Sequence, residues 1–327
     1  MTATDMEEPA ENSQRLWRTS TFAGGPSFVV APPPACIASL RALSMSRPTT
    51  ETANSRHPAE KSLRCGPFIR DTLNKLENGV GFTVIDLESC QQESIEDKRN
   101  IFFAFGTMLG KPMPQDARGT LIYDVIDKGL DVTKGARFSV TNLASSFHND
   151  NSYGHIVPDY VGLFCIGAAM AGGESQLVSG YTIAHVLRTA YPELYDALQS
   201  EYHFDRRGEF APGDEAVSRH PIILWNRDDL LFRFLRYYIE MGHDIVGEPL
   251  TGIRRNAIDV LESLLESPEY RVVMRLQPSE LLLTNNRWVL HNRTAFVDDV
   301  SPNGTRRHLL RLWVRSATRG SSTLGTR

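Results

Sequence analysis

The C-terminal part of this chain is a series of short apolar runs broken by turn residues. Val272 to Leu276, Glu280 to Thr284, Trp288 to Leu290 and His308 to Val314 each have the length of a strand, as does the Gly-bounded run Tyr160 to Ile166 further upstream. Apolar runs this short between turns predict strands rather than helices, and so many of them predict a closed or sandwiched antiparallel core. Further strands are predicted at Gly81 to Leu87, Phe138 to Leu143 and Gln176 to Ser179. Helical spacing predicts helices at Ala35 to Met45, Phe68 to Glu77, Ile95 to Leu109, Asp229 to Met241 and Arg254 to Glu266, and one over Ile183 to Gln199 interrupted by Pro192. The fold class expected is mainly β with flanking helices (α+β).

Within this frame, Phe147-His148-Asn149-Asp150-Asn151 carries metal-binding chemistry. On an extended strand side chains alternate with period two, so His148 and Asp150 share a face and can reach one ion. Two His and one carboxylate leave open coordination positions, the arrangement that suits non-haem Fe(II) oxygenases. A second His is needed from elsewhere. His291 in Asn286-Arg287-Trp288-Val289-Leu290-His291-Asn292-Arg293-Thr294-Ala295-Phe296 is the candidate, and His308 is its rival. Asn285 and Asn286 are placed to orient a ligand. Arg307 and Arg311, four residues apart, share a strand face with Leu309 and Trp313. The planar fork of Arg suits a carboxylate better than Lys does.

Taken in order, His148-Asn149-Asp150, Gly172-Gly173-Glu174-Ser175, Asn286 to Phe296 and Arg306 to Trp313 resemble the Fe(II)/2-oxoglutarate-dependent oxygenases of the taurine dioxygenase and clavaminate synthase group, over roughly residues 66–315. The resemblance implies a double-stranded β-helix, or jelly roll, with helices outside. It implies His148, Asp150 and His291 as iron ligands, since the family's distal His precedes Arg-Thr-x-Phe. It also implies that Arg307 takes the 2-oxoglutarate C5 carboxylate with help from the Ser175 hydroxyl, where the family commonly has Thr. Arg311 then lies nearer the iron, as a cosubstrate residue that could contact the C1 carboxylate or an acidic group on the substrate; the exchange of roles between Arg307 and Arg311 stays open, and Arg306 faces solvent. Phe147, Leu290, Phe296, Leu309 and Trp313 would form the apolar surround. The cofactors implied are Fe(II), 2-oxoglutarate as cosubstrate, and O2. The products are succinate, CO2 and an oxidised, most simply hydroxylated, substrate carbon. Asp150 argues against halogenation, in which a small residue replaces the carboxylate.

The division that follows is an N-terminal extension, 1–62, partly disordered; an oxygenase domain, 63–317, with a helical insert at about 183–268; and a disordered tail, 318–327. The insert commonly covers the active site in the resembled family. Asn142, Asn151, Tyr153, Arg207 and Phe234 are candidate substrate residues, with Arg206 and Arg236 beside them.

Composition narrows the alternatives. A net charge of −4 with both signs interspersed gives no polyanion-binding surface, so nucleic acid is not expected as a partner. No apolar run approaches the ~18–20 residues that cross a bilayer, and the acidic, polar start lacks the features of a secretory signal. Cys36, Cys65, Cys90 and Cys165 are widely spaced without a CxxC pair. They read as free thiols in a reducing, cytoplasmic setting. The expected partner is a small molecule, with a carboxylate-bearing one suggested by Arg311 and the Arg206/Arg207 pair. A homo-oligomer is left open, because Leu231, Phe232, Phe234 and Leu235 suit either a core or an interface. Two other classes stay open: a zinc hydrolase or isomerase using the same His/Asp/His set, and a jelly-roll binding protein without catalysis.

Overall fold

Strand alternation sorts the core side chains into two separate layers. In the strand Glu280–Asn285, Leu281 and Leu283 join one apolar cluster and Leu282 joins the other. In His308–Ser316, Leu310, Leu312 and Val314 face one way while Leu309 faces the other. This is the pattern of a sheet covered on both sides. The computed structural model describes residues 13–25, 28–44, 64–130, 137–210, 213–227, 229–299, 301 and 304–317. The expected linker around 46–62 and the tail after 317 lie outside the described residues.

The larger sheet runs in the order Val29–Val30, Phe82–Asp86, Glu280–Asn285, Tyr160–Gly167, His308–Ser316, with Gly110–Met113 and Ile122–Ile126 both pairing the last of these. The smaller sheet runs Arg271–Met274, Ser175–Ser179, Val289–Arg293, Ser145–His148. Every pairing is antiparallel except that of Val29–Val30 with Phe82–Asp86. This two-sheet jelly roll is the architecture expected. The outer face of the larger sheet is covered by the helices Pro34–Ser44, Gly66–Glu77 and Ile95–Leu109, which bury Leu40, Leu76, Phe102 and Phe105. The smaller sheet is backed by Gly180–Ala190, Pro192–Leu198 and Gly252–Glu266, whose Ala257, Ile258, Leu261 and Leu265 form the predicted stripe. Burying each such side chain is worth about 1.5–3 kcal/mol. The space between the two inner faces is left for the site.

Several expectations are corrected. Phe138 to Leu143 is not a strand: a 3-10 turn at Phe138–Val140 precedes the strand Ser145–His148. Asp229 to Met241 is not one helix: Asp229–Phe232 pairs with Ile223–Asn226 as a hairpin, and the helix is Arg236–Val246. A second hairpin joins Glu201–Asp205 to Val217–Pro221, so the region 183–268 alternates helices with hairpins rather than being helical throughout. Leu231, Phe232, Phe234 and Leu235 are buried within the chain and are core residues. Residues 13–25, part of the extension expected to be partly disordered, pack on the barrel. Trp17 is 1% exposed, donates its indole N–H to Val80 O at 2.8 Å and meets the Phe22 and Phe82 rings edge-on. Cys36 and Cys65 form a disulfide, against the reading of four free thiols. They lie 29 residues apart, and the packing of two helix starts brings their Cα atoms to 4.6 Å, which no local spacing announces. Cys90 and Cys165 are free and buried.

Candidate active site

The strand Val289–Arg293 lies between Ser145–His148 and Ser175–Ser179, in a register that sets His291 opposite His148 and Arg293 opposite Ser175. The two imidazole rings therefore face each other with centroids 4.3 Å apart. Asp150 is not on the strand with His148, as alternation alone suggested, but in the turn that follows it. Asn286 holds that turn: its side-chain oxygen accepts from Asp150 N at 2.8 Å, and its amide donates to Asp150 O at 3.0 Å and to Pro158 O at 3.1 Å. Asn149 donates to Asn286 O at 2.8 Å, which completes a fully buried lock.

Asp150 Oδ1 then lies 3.5 Å from His148 Nε2 and 4.0 Å from His291 Nε2. Ligand atoms of the three residues lie within 4.8 Å of one another. His148 Nδ1 bonds Ser146 O at 2.8 Å, so the Nε2 lone pair faces inward. Burial, with His148 adding to it, pushes the His291 pKa down to about 3 and keeps that ring neutral. Burial works to raise the Asp150 pKa, but Arg311 and the two imidazoles hold it far below the ordinary carboxylate range. Two imidazoles and one carboxylate, with their donor atoms converging, fit a divalent metal of the Fe(II) type. His308, the rival ligand, lies outside this group and bonds Asp124 Oδ1 at 2.7 Å.

The sheet opposite closes the site. Arg307, Leu309, Arg311 and Trp313 all line the same cavity, as the spacing predicted, while Arg306 is exposed. Arg311 Nη1 approaches Asp150 Oδ1 at 3.2 Å, and Trp313 Nε1 donates to Asp150 Oδ2 at 2.8 Å. Trp313 is thus a hydrogen-bond donor as well as part of the apolar wall. Phe147 and Leu290, expected inside, point outward into the cluster containing the helix residues Ala257, Ile258 and Leu261, because alternation sets them opposite to His148 and His291.

Arg307 is 5% exposed and stacks on the Phe296 ring at 5.1 Å. Its Nη1 is buried with no hydrogen-bond partner among the described residues. Burial lowers its pKa to about 10, which still leaves it charged at neutral pH. Gly173, with φ 76°, makes room for it: a Cβ there would lie 3.0 Å from Arg307 Nε. Ser175 lines the cavity beside Arg307. Arg293 leans on Phe296 as well, at 4.9 Å, with its Nε buried and unpartnered among the described residues.

Of the candidate substrate residues, Asn151 and Tyr153 line the cavity. Asn142 is exposed, Arg207 pairs with Asp205, and Phe234 is buried in the core; none of the three is among the lining residues. Arg206 donates to Glu215 O and Glu209 O, and Arg236 pairs with Glu240, Asp259 and Glu262. Sequence reasoning passed over Gln115, Arg137, Tyr238 and Arg293. The first two lie outside strands and helices, where no periodicity marks them.

FR-33289 synthase of Streptomyces rubellomurinus is 28% identical over 255 residues, covering 77% of this chain and 74% of that protein. Uridine-5'-phosphate dioxygenase of Amycolatopsis sp is 30% identical over 161 residues, covering 49% of this chain and 56% of that one. The structure of an asparagine oxygenase with Fe(II), 3-hydroxyasparagine and succinate superimposes with a TM-score of 0.65 at 20% identity, covering 88% of this chain and 93% of that one. The family model "Taurine catabolism dioxygenase TauD, TfdA family" matches residues 50–313. The chain belongs to that family and is an Fe(II)- and 2-oxoglutarate-dependent dioxygenase.

Proposed function

We propose that His148, Asp150 and His291 hold the iron, that Arg307 and Ser175 hold the C5 carboxylate of 2-oxoglutarate, and that the enzyme hydroxylates an unactivated C–H bond of a small molecule. The observation that carries this is the Arg307 guanidinium: buried, charged and lacking a carboxylate, in the same cavity as the His/Asp/His group. A buried unpaired cation costs several kcal/mol unless a ligand anion completes it. A zinc hydrolase has no use for such a group, and that alternative finds no support in the related proteins.

Iron with 2-oxoglutarate supplies the oxidising power for C–H cleavage when bound. The chain's own residues bind, orient and exclude water. Arg307 would hold the cosubstrate carboxylate, with its buried and unpartnered Nη1 as a donor for it. Arg311 and Trp313 each hold one oxygen of Asp150, which would keep the carboxylate oriented for a metal. Leu163, Leu235 and Leu309 keep the cavity wall apolar. The substrate is a small molecule, and a carboxylate on it suits the surplus of arginine. The expectation of a cytoplasmic location rested on four free thiols, and the Cys36–Cys65 disulfide takes two of them away. Among the described residues no helix is long and apolar enough to cross a membrane.

The test is succinate release from 2-oxoglutarate by the purified chain with Fe(II), ascorbate and O2, beside His148→Ala and Arg307→Ala. Wild type is expected to release succinate slowly even without substrate. His148→Ala should be silent, and Arg307→Ala should need roughly 30-fold or more 2-oxoglutarate, the scale of losing one partner of a buried charge pair. Equal succinate release by all three proteins would refute the assignment.

A further inference from the structure

The turn Asp205-Arg206-Arg207-Gly208-Glu209, which the sequence marks by its paired arginines, spends most of its polar groups on its own shape. Arg207 and Gly208 both have positive φ, 55° and 75°, and Asp205 Oδ1 accepts from Arg207 N at 2.8 Å. Arg206 ties the two arms of the hairpin Glu201–Asp205 and Val217–Pro221 together beyond the last strand pair, donating to Glu215 O at 2.9 Å and to Glu209 O at 3.2 Å. Glu209 N donates to Arg206 O at 2.9 Å. A turn fixed in this way presents the Glu209 carboxylate in one direction, toward the barrel.

There the carboxylate holds one loop at two points. Glu209 Oε2 accepts from Ala117 N at 3.0 Å, and Glu209 Oε1 pairs with Arg137 Nη2. Arg137 Nη1 in turn donates to Gln115 O at 3.2 Å. The loop between Gly110–Met113 and Ile122–Ile126 is therefore gripped directly at Ala117 and, through Arg137, at Gln115. The Arg137 and Glu209 side chains are only 21% and 24% exposed, so this pair is sheltered from much of the solvent that weakens surface ion pairs. From Gln115 the connection continues inward. Its side chain accepts from Arg311 Nε and donates to Arg311 O, each at 2.8 Å, and Arg311 Nη1 approaches Asp150 Oδ1 at 3.2 Å. An unbroken series of hydrogen bonds thus joins a hairpin of the 183–268 region to the carboxylate of the His/Asp/His group.

We propose that Glu209 is a positioning residue of the metal site: it acts through Arg137 and Gln115 on Arg311, and so sets the orientation of Asp150. This rests on the reading of Asp150 as an iron ligand. Groups behind a metal ligand fix its direction and its basicity, and losing one typically matters by about 10–100-fold. Glu209 stands one step further out than Gln115, so its expected effect is smaller. The consequence is that the site is fully ordered for metal only while the turn at 205–209 is seated on the barrel.

Continuity of contacts is not in itself coupling; a double-mutant cycle measures it. Mn(II) affinity of the full chain is read anaerobically by electron paramagnetic resonance, with the zero-field splitting of the bound ion recorded beside it. Glu209→Ala is expected to weaken Mn(II) about fivefold and to change the splitting. Arg137→Met cuts the same link from its other side and should do the same. Glu209→Gln keeps one acceptor oxygen and should fall between Glu209→Ala and wild type. In a Gln115→Leu background, Glu209→Ala should cost less than about twofold, because the link is already cut. The full loss in that background would overturn the inference, since Glu209 would then act by another route. Wild-type affinity and splitting in both Glu209→Ala and Arg137→Met would overturn it too. Should Glu209→Ala fail to fold, Arg137→Met with Gln115→Leu completes the same cycle. If wild type binds Mn(II) no more tightly than Asp150→Ala, the iron-site reading falls and takes this one with it; if wild type binds tightly and the cycle is additive, only this inference falls.

Discussion

Gly173 and Gln115 have no chemistry of their own, yet each decides where an arginine points. At Gly173 the backbone has φ 76°, a conformation L side chains rarely adopt, and a Cβ would lie 3.0 Å from Arg307 Nε and 3.1 Å from Cδ. Gly173→Ala should therefore strain the turn and displace the guanidinium, raising the 2-oxoglutarate dissociation constant roughly tenfold (about 1.4 kcal/mol) in anaerobic titration. An unchanged constant would mean that Arg307 is not held by this turn. Gln115 is buried and accepts from Arg311 Nε at 2.8 Å while donating to Leu121 O and Arg311 O. Replacing it by Leu leaves these groups unpaired and lets Arg311 drift from Asp150. Groups that orient a metal ligand typically matter by about 10–100-fold. Gln115→Leu is thus expected to lower Mn(II) affinity about tenfold, measured by electron paramagnetic resonance, with partial recovery in Gln115→Glu. The three residues proposed as ligands, which the fold brings together, were legible in the sequence because HxD and His-Asn-Arg-Thr-Ala-Phe are local patterns. Gln115 was not, because its role exists only once the loop after Gly110–Met113 lies against the strand His308–Ser316.

The elements that sequence reasoning recovered are those whose periodicity is unambiguous. Ile95–Leu109 has an N-cap at Ser94, whose hydroxyl accepts from Asp97 N, and the expected bounds match the helix. The failure at Asp229 to Met241 has a specific cause. Leu230, Leu231, Phe232, Phe234 and Leu235 are apolar almost without interruption, and such a run does not distinguish a buried helix from a buried strand. What decides is distant: Phe232 N donates to Arg287 O at 2.7 Å, and the hairpin with Ile223–Asn226 takes up the remaining backbone groups. The disulfide is equally non-local. Cys36 enters the helix Pro34–Ser44 and Cys65 caps Gly66–Glu77, so the bond fastens these two helices to each other across 29 residues. In the loop-entropy picture a closure of this length is worth about 3–4 kcal/mol. The double substitution Cys36→Ser/Cys65→Ser should lower the unfolding free energy in urea by about that amount. A midpoint equal to wild type under non-reducing conditions would show that the bond does not form in solution.

At the scale of the whole molecule, titration exposes how the fold stores unfavourable burial. His220 lies in the strand Val217–Pro221 against Phe204 and His155, with its Nε2 buried and unpartnered among the described residues. Burial, helped by the charge of Arg233, pushes its pKa down to about 3, whereas in the unfolded chain it should be near the ordinary 6.5. Between these two values the unfolded chain binds a proton that the folded chain refuses, so stability rises with pH. The contribution is fully present above about pH 6.5 and is lost progressively as pH falls toward 3, with a limiting slope of about 1.4 kcal/mol per pH unit. His291 behaves in the same direction in the metal-free chain. Depressed carboxylates such as Asp124 and Asp116 act in a lower window, below their unfolded value near 3.9. The interval from pH 4.5 to 6.5 therefore isolates the histidines. Urea unfolding of the metal-free chain across it should show stability falling with acid, and His220→Gln should flatten the slope by up to one proton's worth. An unchanged slope in that variant would mean that His220 takes its proton in the folded chain too. The surrounding hairpins must then open enough to hydrate it, and with them the wall that carries Tyr153, to whose backbone His220 bonds.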